Sequence, residues 1–382
     1  MNLNVEVISE EIVKPSSLTA DGLRHRLSSL DQLTPSHYNH LVYFYPKICD
    51  AEADKISISD RLKHSVSNAL AYFYPVAGRI TEDQLFVDCN DEGIPFVEVR
   101  VKCQLSDVLN NLVPKELNKL LPFEVHSVNE VLAGIQLNVF ECGGIAIGVC
   151  ISHKIGDALS FFSFVKTWAA IARGETELIA PDFESASLFP PQDPSEFKPI
   201  SSRSNKEQIM TKRFVFGAAE VEEIRRKYSE NSNQTRPTRV EALSAFIWEH
   251  LITAKGVKSR HDITHVVNIR QRIEPPLPES SFGNIYSLAL TIPSSSDGNV
   301  VTEIRDSIKA VNSEFPRYEA DFGWGKPVWA GSGDLGLKNL ATFMDAVNGD
   351  GIEAWITLDE EEMEKFCSDE GMFAYVTVPK CL

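Results

Sequence analysis

The chain has 382 residues, of which 43% are hydrophobic and 24% charged, and its formal net charge is −17. This length is sufficient to bury a large core and predicts two domains of a globular protein. The negative charge argues against broad, sequence-independent binding to nucleic acid, which needs a basic surface. A phosphorylated ligand is compatible with this charge, since it needs only a local group of cations and hydrogen-bond donors.

The N-terminal stretch and the cysteines indicate the compartment. Residues 1–17 lack the basic region and apolar run of a secretory signal, and no apolar run of the chain reaches membrane-spanning length. The seven cysteines form no CxxC pair and no paired metal spacing, which is typical of buried free thiols in a reducing compartment. We therefore expect a cytoplasmic protein with no membrane partner. We also expect a monomer and, from the net charge, no nucleic-acid partner.

In chain order, the first 190 residues show strand and helix patterns mixed together. Residues 60–72 carry apolar side chains on one helical face, with Ser59 or Asp60 as the N-cap, and residues 95–101 alternate as an antiparallel strand would. The turn residues 141–144 predict a hairpin between two flanking strands. The predicted strands are 5–13, 41–45, 85–89, 95–101, 133–140 and 145–152, and the predicted helices are 60–72 and 158–172.

Residues 181–208 are rich in Pro and Ser and have no sustained periodicity, which is typical of a crossover between domains. We assign residues 1–190 to a first domain, 191–208 to the crossover linker and 209–382 to a second domain. In the second domain the patterns predict strands at 210–216, 262–270, 282–292 and 352–358, and helices at 218–228, 238–251 and 301–311. Strands and helices mixed in both halves predict an α/β sandwich of two domains.

One stretch, 145–173, joins a strand to a helix through a short turn that carries a histidine. Apolar residues alternate with small ones up to Ser152, and an apolar stripe at helical spacing follows Asp157. Asp157 is a good N-cap and Gly174 a good C-terminal stop. His153, held between two rigid elements, is a candidate catalytic base because an imidazole accepts a proton near neutral pH. A hydrogen-bonded core histidine is the competing interpretation.

Other catalytic motifs are absent from the sequence. It contains no GxSxG, no P-loop GxxxxGK[ST], no HExxH and no GxGxxG. His261 and His265 are four residues apart, but the surrounding pattern predicts a strand and no third ligand is apparent, so we predict no metal site.

A second dense motif is DFGWGKP at 321–327. Two glycines around Trp324 indicate unusual backbone geometry or close packing. Asp321 has no neighbouring base in the sequence and is interpreted as structural. Arg270 ends an apolar strand, where a cation needs a carboxylate partner.

These motifs occur together in one order: LSSLD at 27–31, FYPVAGRI at 73–80, HKIGD at 153–157, VNIRQRIEPPLP at 267–278 and DFGWGKP at 321–327. In this combination the chain resembles the plant BAHD acyl-CoA-dependent acyltransferases over nearly its whole length. FECGGIAIG before the histidine and SASLFPP after it are similar to the branch that includes vinorine synthase and salutaridinol acetyltransferase. The resemblance implies a two-domain, mixed-sheet sandwich similar to the chloramphenicol acetyltransferase-like fold, with a channel between the domains.

The resemblance also implies a reaction and its residues. His153 would take the proton of an acceptor hydroxyl as the oxygen attacks the thioester of acetyl-CoA or another acyl-CoA, with an alkaloid or related metabolite as acceptor. Asp157 would pair with Arg270 and hold the turn. Asp321, Gly323, Trp324 and Gly325 would support the architecture. CoA, a co-substrate rather than a resident cofactor, would lie near Thr238, Arg239 or Lys212.

The second domain is shorter than the family pattern between Asn284 and DFGWG, where only residues 285–320 remain. Losing a central strand would leave neighbouring strands unpaired and an apolar face open. Two further functions therefore stand beside the acyltransferase. One is an inactive or ligand-binding shortened form of the same fold, and the other is an esterase that uses water as the acceptor.

Overall fold

The computed structural model describes residues 2–46, 57–125, 130–193, 209–229, 236–256, 261–293, 300–309, 320–332, 338–346 and 351–376. The strands in these ranges are β1 (Val5–Val13), β2 (Arg24–Arg26), β3 (Tyr38–Tyr45), β4 (Arg79–Ile80), β5 (Phe86–Asp88), β6 (Ile94–Val101), β7 (Ala133–Phe140), β8 (Ile145–Ser152), β9 (Ile209–Phe216), β10 (Ile263–Asn268), β11 (Tyr286–Thr291), β12 (Trp329–Gly331), β13 (Leu340–Asp345) and β14 (Ile352–Asp359). The helices are α1 (Ser29–Leu33), α2 (Ile58–Tyr72), α3 (Leu105–Asn110), α4 (Pro114–Leu117), α5 (Ala158–Ala172), α6 (Ser185–Leu188), α7 (Ala218–Ser229), α8 (Arg239–Lys255), α9 (Val300–Ile308), α10 (Glu360–Cys367) and α11 (Glu370–Phe373).

The chain divides into two compact units that are not contiguous in sequence. The first comprises Met1–Ser202, Arg270–Tyr286 and Glu314–Leu335, and the second comprises Arg203–Ile269, Ser287–Ser313 and Gly336–Leu382. The sequence prediction placed all residues from 209 onwards in the second domain, and this differs from the structure. The physical reason is long-range pairing, because β12 adds to the sheet of the first unit beside β3. Of the predicted crossover 191–208, residues 194–208 lie outside the described residues.

The first unit is built on a mixed sheet whose described strands follow the order β1-β6-β7-β8-β3-β12. Its pairs are antiparallel except β6 with β7, which run parallel. β8 is buried along its whole length, and β3 pairs with it from Tyr38↔Ser152 to Tyr45↔Ile145. α2 and α5 pack together over this core, where the indole N–H of Trp168 donates to the Ser65 hydroxyl at 3.0 Å. β8 and α5, which flank His153, are thus deeply embedded elements.

The second unit contains a sheet of order β13-β14-β9 in its described residues. α8 packs against α7 and α10, and α10 packs against β14 and β9. α8 opens with a capping box, since the Thr238 hydroxyl accepts from the Glu241 N–H and the Glu241 carboxylate from the Thr238 N–H. Glu241 also forms a buried ion pair with Arg305 at 3.1 Å. β10 and β11 form a separate pair of strands.

Mixed α/β architecture and most of the elements are as predicted, and β1, β7, β8 and α5 have the predicted bounds. The predicted N-cap of α2, Ser59 or Asp60, was wrong because the helix already begins at Ile58. Ser57 is the N-cap, and its hydroxyl accepts from the Asp60 N–H. The strand predicted from residue 282 begins only at Tyr286. Residues 310–311 of the predicted helix 301–311 lie outside the described residues.

Of the cysteines predicted as buried thiols, Cys89 and Cys150 are buried, whereas Cys103, Cys142 and Cys367 are only half-buried. Burial raises the pKa of the Cys89 thiol to about 11, and it raises the pKa of Cys150 further. Both thiols are therefore protonated and unreactive at neutral pH.

Candidate active site

His153 stands at the junction of β8 and α5. β8 ends at Ser152, and the main-chain N–H of His153 donates to the carbonyl of His37 at 2.8 Å. Asp157 caps α5, because its Oδ1 accepts from the Ser160 N–H at 3.0 Å. A buried strand and a buried helix thus fix both ends of the turn, and the imidazole is carried on a rigid support.

Asp157 and Arg270 form a buried ion pair. Nη1 of Arg270 donates to Asp157 Oδ2 at 2.7 Å, and Nη2 donates to Oδ1 at 3.1 Å. The Arg270 side chain is 0% exposed and also donates to the carbonyls of Ser281 and Gly283. The N–H of Ile285 donates to Asp157 Oδ2 at 3.0 Å. The carboxylate of Asp157 is therefore committed to the helix cap and to Arg270, and it supports the turn.

The imidazole of His153 lies among aromatic rings. The ring of His37 meets it edge-on at 4.8 Å, and the ring of Tyr286 lies at 5.9 Å. The Tyr286 hydroxyl is hydrogen-bonded to Thr34 Oγ1 at 3.1 Å. Burial lowers the pKa of His153 below its ordinary value of 6.5, and the charge of Asp157 opposes this shift only in part. His153 is therefore neutral at pH 7 and can accept a proton.

Two buried polar side chains near His153 had no assigned role in the sequence prediction. Asp31 Oδ1 accepts from the main-chain and side-chain N–H groups of Asn284 at 2.9 and 2.8 Å. The side-chain amide of Asn284 also donates to the carbonyl of His153 at 2.6 Å. Asp31 is visible in the sequence only as part of the LSSLD motif. Asn284 follows Gly283 in a stretch whose pattern predicts a strand, and nothing local marks it.

The DFGWG loop is folded around Asp321. Its Oδ1 accepts from the N–H groups of Gly323 and Gly325, each at 2.9 Å. Both glycines have positive φ angles, +95° and +100°, which explains why glycine occupies these positions. The Asp321 carbonyl accepts from the guanidinium of Arg173. The Asp321 carboxylate thus organises the loop backbone.

The loop packs at one end of α5. Trp324 stacks on Phe322 with ring centroids 5.7 Å apart, and Phe322 meets Trp168 at 4.6 Å. Trp168 and Arg173 lie at the C-terminal end of this helix of 15 residues, whereas His153 precedes its N-terminus. At 1.5 Å per residue the helix is about 22 Å long. The DFGWG loop therefore supports the fold from the end of α5 remote from His153.

Each of the three residues predicted to contact CoA has a protein partner in the second unit. Thr238 caps α8, and the Arg239 guanidinium lies 3.2 Å from Asp345 Oδ1. Nζ of Lys212 donates to the sulfur of Cys367 at 3.5 Å. Their assignment to CoA stays a prediction.

His261 and His265 lie in different surroundings. His265 Nε2 is 3.1 Å from the Ser244 hydroxyl, and the His261 carbonyl accepts from the Trp248 indole at 3.1 Å. In the described part of the chain, no group of three or more His, Cys, Asp or Glu side chains is arranged to hold a metal ion. No helix in those residues is both long and apolar enough to cross a membrane.

Comparison with known proteins decides the family. The model of the Transferase family matches this chain in two segments, residues 3–314 and 310–372. The chain belongs to the BAHD acyltransferases. It is accordingly a transferase enzyme that uses acyl-CoA as a co-substrate.

Named plant acyltransferases are similar to it over nearly their whole length. Limonoid 21-O-acetyltransferase of Melia azedarach is 36% identical, with 98% of this chain and 99% of that protein covered. Stemmadenine O-acetyltransferase of Catharanthus roseus is 35% identical, with 96% of each covered. The crystal structure of vinorine synthase superposes with a TM-score of 0.87 at 33% identity, covering 99% of this chain and 100% of that one. The predicted fold is thereby confirmed.

This chain is shorter than the relatives to which it aligns. The alignment with the limonoid acetyltransferase spans 423 positions, whereas the chain has 382 residues, so at least 41 positions, 423 less 382, hold no residue of this chain. The two segments matched by the family model meet at residues 310–314. The predicted shortening between Asn284 and DFGWG includes this point, although residues 310–319 lie outside the described residues.

Proposed function

We propose that His153 is the general base of acyl transfer from acyl-CoA to an alcohol. Its Nε2 takes the proton from the acceptor hydroxyl while that oxygen forms a bond to the thioester carbonyl carbon. The tetrahedral intermediate collapses, the carbon–sulfur bond breaks, and the CoA thiolate recovers the proton from the imidazolium. The products are the ester and free CoA, and His153 returns to its neutral form.

One observation carries this proposal. The neutral imidazole of His153 stands on a turn between two buried elements, while the neighbouring carboxylate of Asp157 binds Arg270 and caps α5. Burial lowers the pKa of His153, so the base form is present at neutral pH. Asp157 pairs with Arg270, and this arrangement supports a bracing role for Asp157 rather than a second base. The main-chain bond of His153 to His37 holds the turn in place.

For the substrates we propose acetyl-CoA and a hydroxyl of an alkaloid or limonoid. The support is similarity, because relatives at 35–36% identity carry the names of acetyltransferases for a limonoid and for stemmadenine. The cytoplasmic location and the monomeric state are predictions from the sequence.

The test is turnover with acetyl-CoA and a panel of alkaloid and limonoid alcohols, with ester formation followed by mass spectrometry and free CoA by a thiol reagent. His153→Ala should lower kcat by on the order of 10²- to 10⁴-fold, the contribution typical of a general base. His64→Ala removes an exposed histidine of α2 and should leave turnover unchanged. Undiminished transfer by His153→Ala would refute the assignment of the base.

The shorter chain supports a second candidate, an inactive form that keeps the fold, because at least 41 positions of the alignment with the limonoid acetyltransferase hold no residue of this chain. A cooperative melting transition without turnover on any acceptor would favour it. CoA release in the absence of an alcohol would instead indicate hydrolysis, with water as the acceptor.

A further inference from the structure

The orientation of the Asn284 amide is fixed by its partners. Its Nδ2 donates one proton to Asp31 Oδ1 at 2.8 Å and the other to the His153 carbonyl at 2.6 Å. A flipped amide would place its oxygen against a carboxylate and a carbonyl, and it would leave both acceptors without a donor. The amide nitrogen therefore faces Asp31 and the His153 main chain, and the amide oxygen faces away from them.

Two buried atoms at this point make no hydrogen bond of ordinary geometry within the described residues, Asn284 Oδ1 and His153 Nδ1. One is an acceptor, and the other is a donor in one of the two neutral imidazole tautomers. Leaving both unpaired would cost free energy, since buried polar atoms need partners. We propose that Asn284 is a positioning residue whose Oδ1 accepts the Nδ1 proton of His153, which leaves Nε2 unprotonated to act as the base. The inference rests on the proposed role of His153.

The backbone carbonyls of His153 and Gly156 are the alternative acceptors for the Nδ1 proton, since each has a second lone pair. Each has another donor, because the His153 carbonyl accepts from Asn284 and the Gly156 carbonyl accepts from the Asn39 side chain at 3.0 Å. The Asn284 oxygen has no such donor. Burial lowers the pKa of His153, and the charge of Asp157, the His153 carbonyl, the Asn284 side chain and the Gly156 carbonyl each oppose this shift.

Asp31 anchors Asn284. The Asp31 side chain is buried, and its two oxygens accept four hydrogen bonds, two from Asn284 and two from the N–H and hydroxyl of Ser28. The Asp31 of LSSLD thus acts on His153 through Asn284. Among the residues that the structure describes, the other titratable or charged groups facing the imidazole are Asp157, His37 and Tyr286.

The first test reads the tautomer directly, without turnover. Long-range ¹H–¹⁵N spectra of protein with ¹⁵N-labelled histidine rings distinguish a protonated from an unprotonated ring nitrogen, and the spectrum of His153→Ala assigns the signal. We expect the wild-type ring to be protonated at Nδ1 and Asn284→Ala to mix the tautomers. Asn138→Ala removes another fully buried asparagine, whose amide donates only to backbone carbonyls, and should leave the His153 signal unchanged. A wild-type ring protonated at Nε2 would overturn the proposal.

The second test is the pH profile of kcat/KM for an acceptor that shows turnover. Asn284→Ala should lower kcat/KM by about 10²-fold, the effect of a misplaced catalytic group, and shift the acidic limb to lower pH because a group that favours the imidazolium is lost. Asn284→Asp places a carboxylate at the same position, so the limb should move to higher pH. An unmoved limb in both variants would contradict the proposal. If His153→Ala keeps full activity while the tautomer result holds, the base assignment fails and the positioning contact stands.

Discussion

Arg270 is a cation without exposed surface, and its position explains much about the turn that carries His153. The guanidinium donates to both oxygens of Asp157 and to the carbonyls of Ser281 and Gly283. Burying a charge is tolerated only when such partners replace water. The pair therefore ties the segment that begins at residue 270 to the start of α5, and this connection holds the turn in one conformation.

Removing one member of this pair should be strongly destabilising. Asp157→Ala leaves the charge of Arg270 buried and removes the N-cap of α5, so the free energy of unfolding should fall by about 3–5 kcal/mol. Urea unfolding followed by circular dichroism measures it. Arg24→Met breaks an ion pair with Asp88 whose side chains are 58% and 41% exposed, and it should cost less than about 1 kcal/mol. Equal losses in the two variants would contradict a structural role for the buried pair.

At the residue scale, the sequence predicts what is local. His153, Asp157 and the Ser160 N–H that Asp157 caps lie within eight residues, and their pattern is sufficient to place them. The partners of Asp157 and the contact between Asp31 and Asn284 cross more than 100 positions, and a single sequence shows no pairing at that distance. The family resemblance identified Arg270 as the partner of Asp157, but it gave no role to Asn284.

At the scale of elements, β8 shows why the strand before His153 has small residues on one face. The segment around Leu120 packs against this face, and a Cβ added at Gly148 would clash with the main-chain carbonyl of Leu120. The residues that alternate with Gly148 on this face, Ala146 and Cys150, are fully buried. The alternation of apolar and small residues thus reflects a strand covered on both faces, as predicted.

Gly148→Ala should therefore disturb the strand that carries the candidate base. The new methyl group meets backbone, which cannot move aside as a side chain can, so we expect a loss of at least about 2 kcal/mol in unfolding free energy. Val139→Ala on the neighbouring β7 changes a side chain that is 39% exposed, and its effect should lie within about 0.5 kcal/mol. Thermal and urea unfolding of both variants measure this difference, and a Gly148→Ala protein as stable as the control would exclude the clash.

Elements with a strong local pattern were predicted well, whereas short ones were missed. β12 has three residues and exists because it pairs with β3, nearly 300 positions earlier in the chain. β13 is half-buried at most positions and has no clear alternation, and its strand conformation depends on pairing with β14. In both cases the partner strand, rather than the intrinsic preference of the residues, determines the structure.

At the scale of the molecule, the described strands β10 and β11 of the second unit carry an exposed apolar face. Val267 of β10 and Ala289 of β11 are buried together, so Val266 and the leucines that alternate with Ala289 lie on the opposite face. Val266 is 70% exposed, and Leu288 and Leu290 are 58% and 53% exposed. The sequence predicts such a face from the missing segment, because a strand that loses its neighbour exposes apolar surface.

This face should cause the protein to associate as its concentration rises, and the double variant Leu288→Lys/Leu290→Lys should suppress that association without loss of stability. Two lysines change the net charge from −17 to about −15, which alone would weaken the repulsion between molecules and favour association. Reduced association of the double variant must therefore come from the lost apolar surface. Light scattering across a concentration series measures the effect. Leu18→Lys alters an isolated leucine that is 90% exposed, and it should scatter like the wild type. Equal association of wild type and double variant would show that the β10–β11 face is not the contact surface.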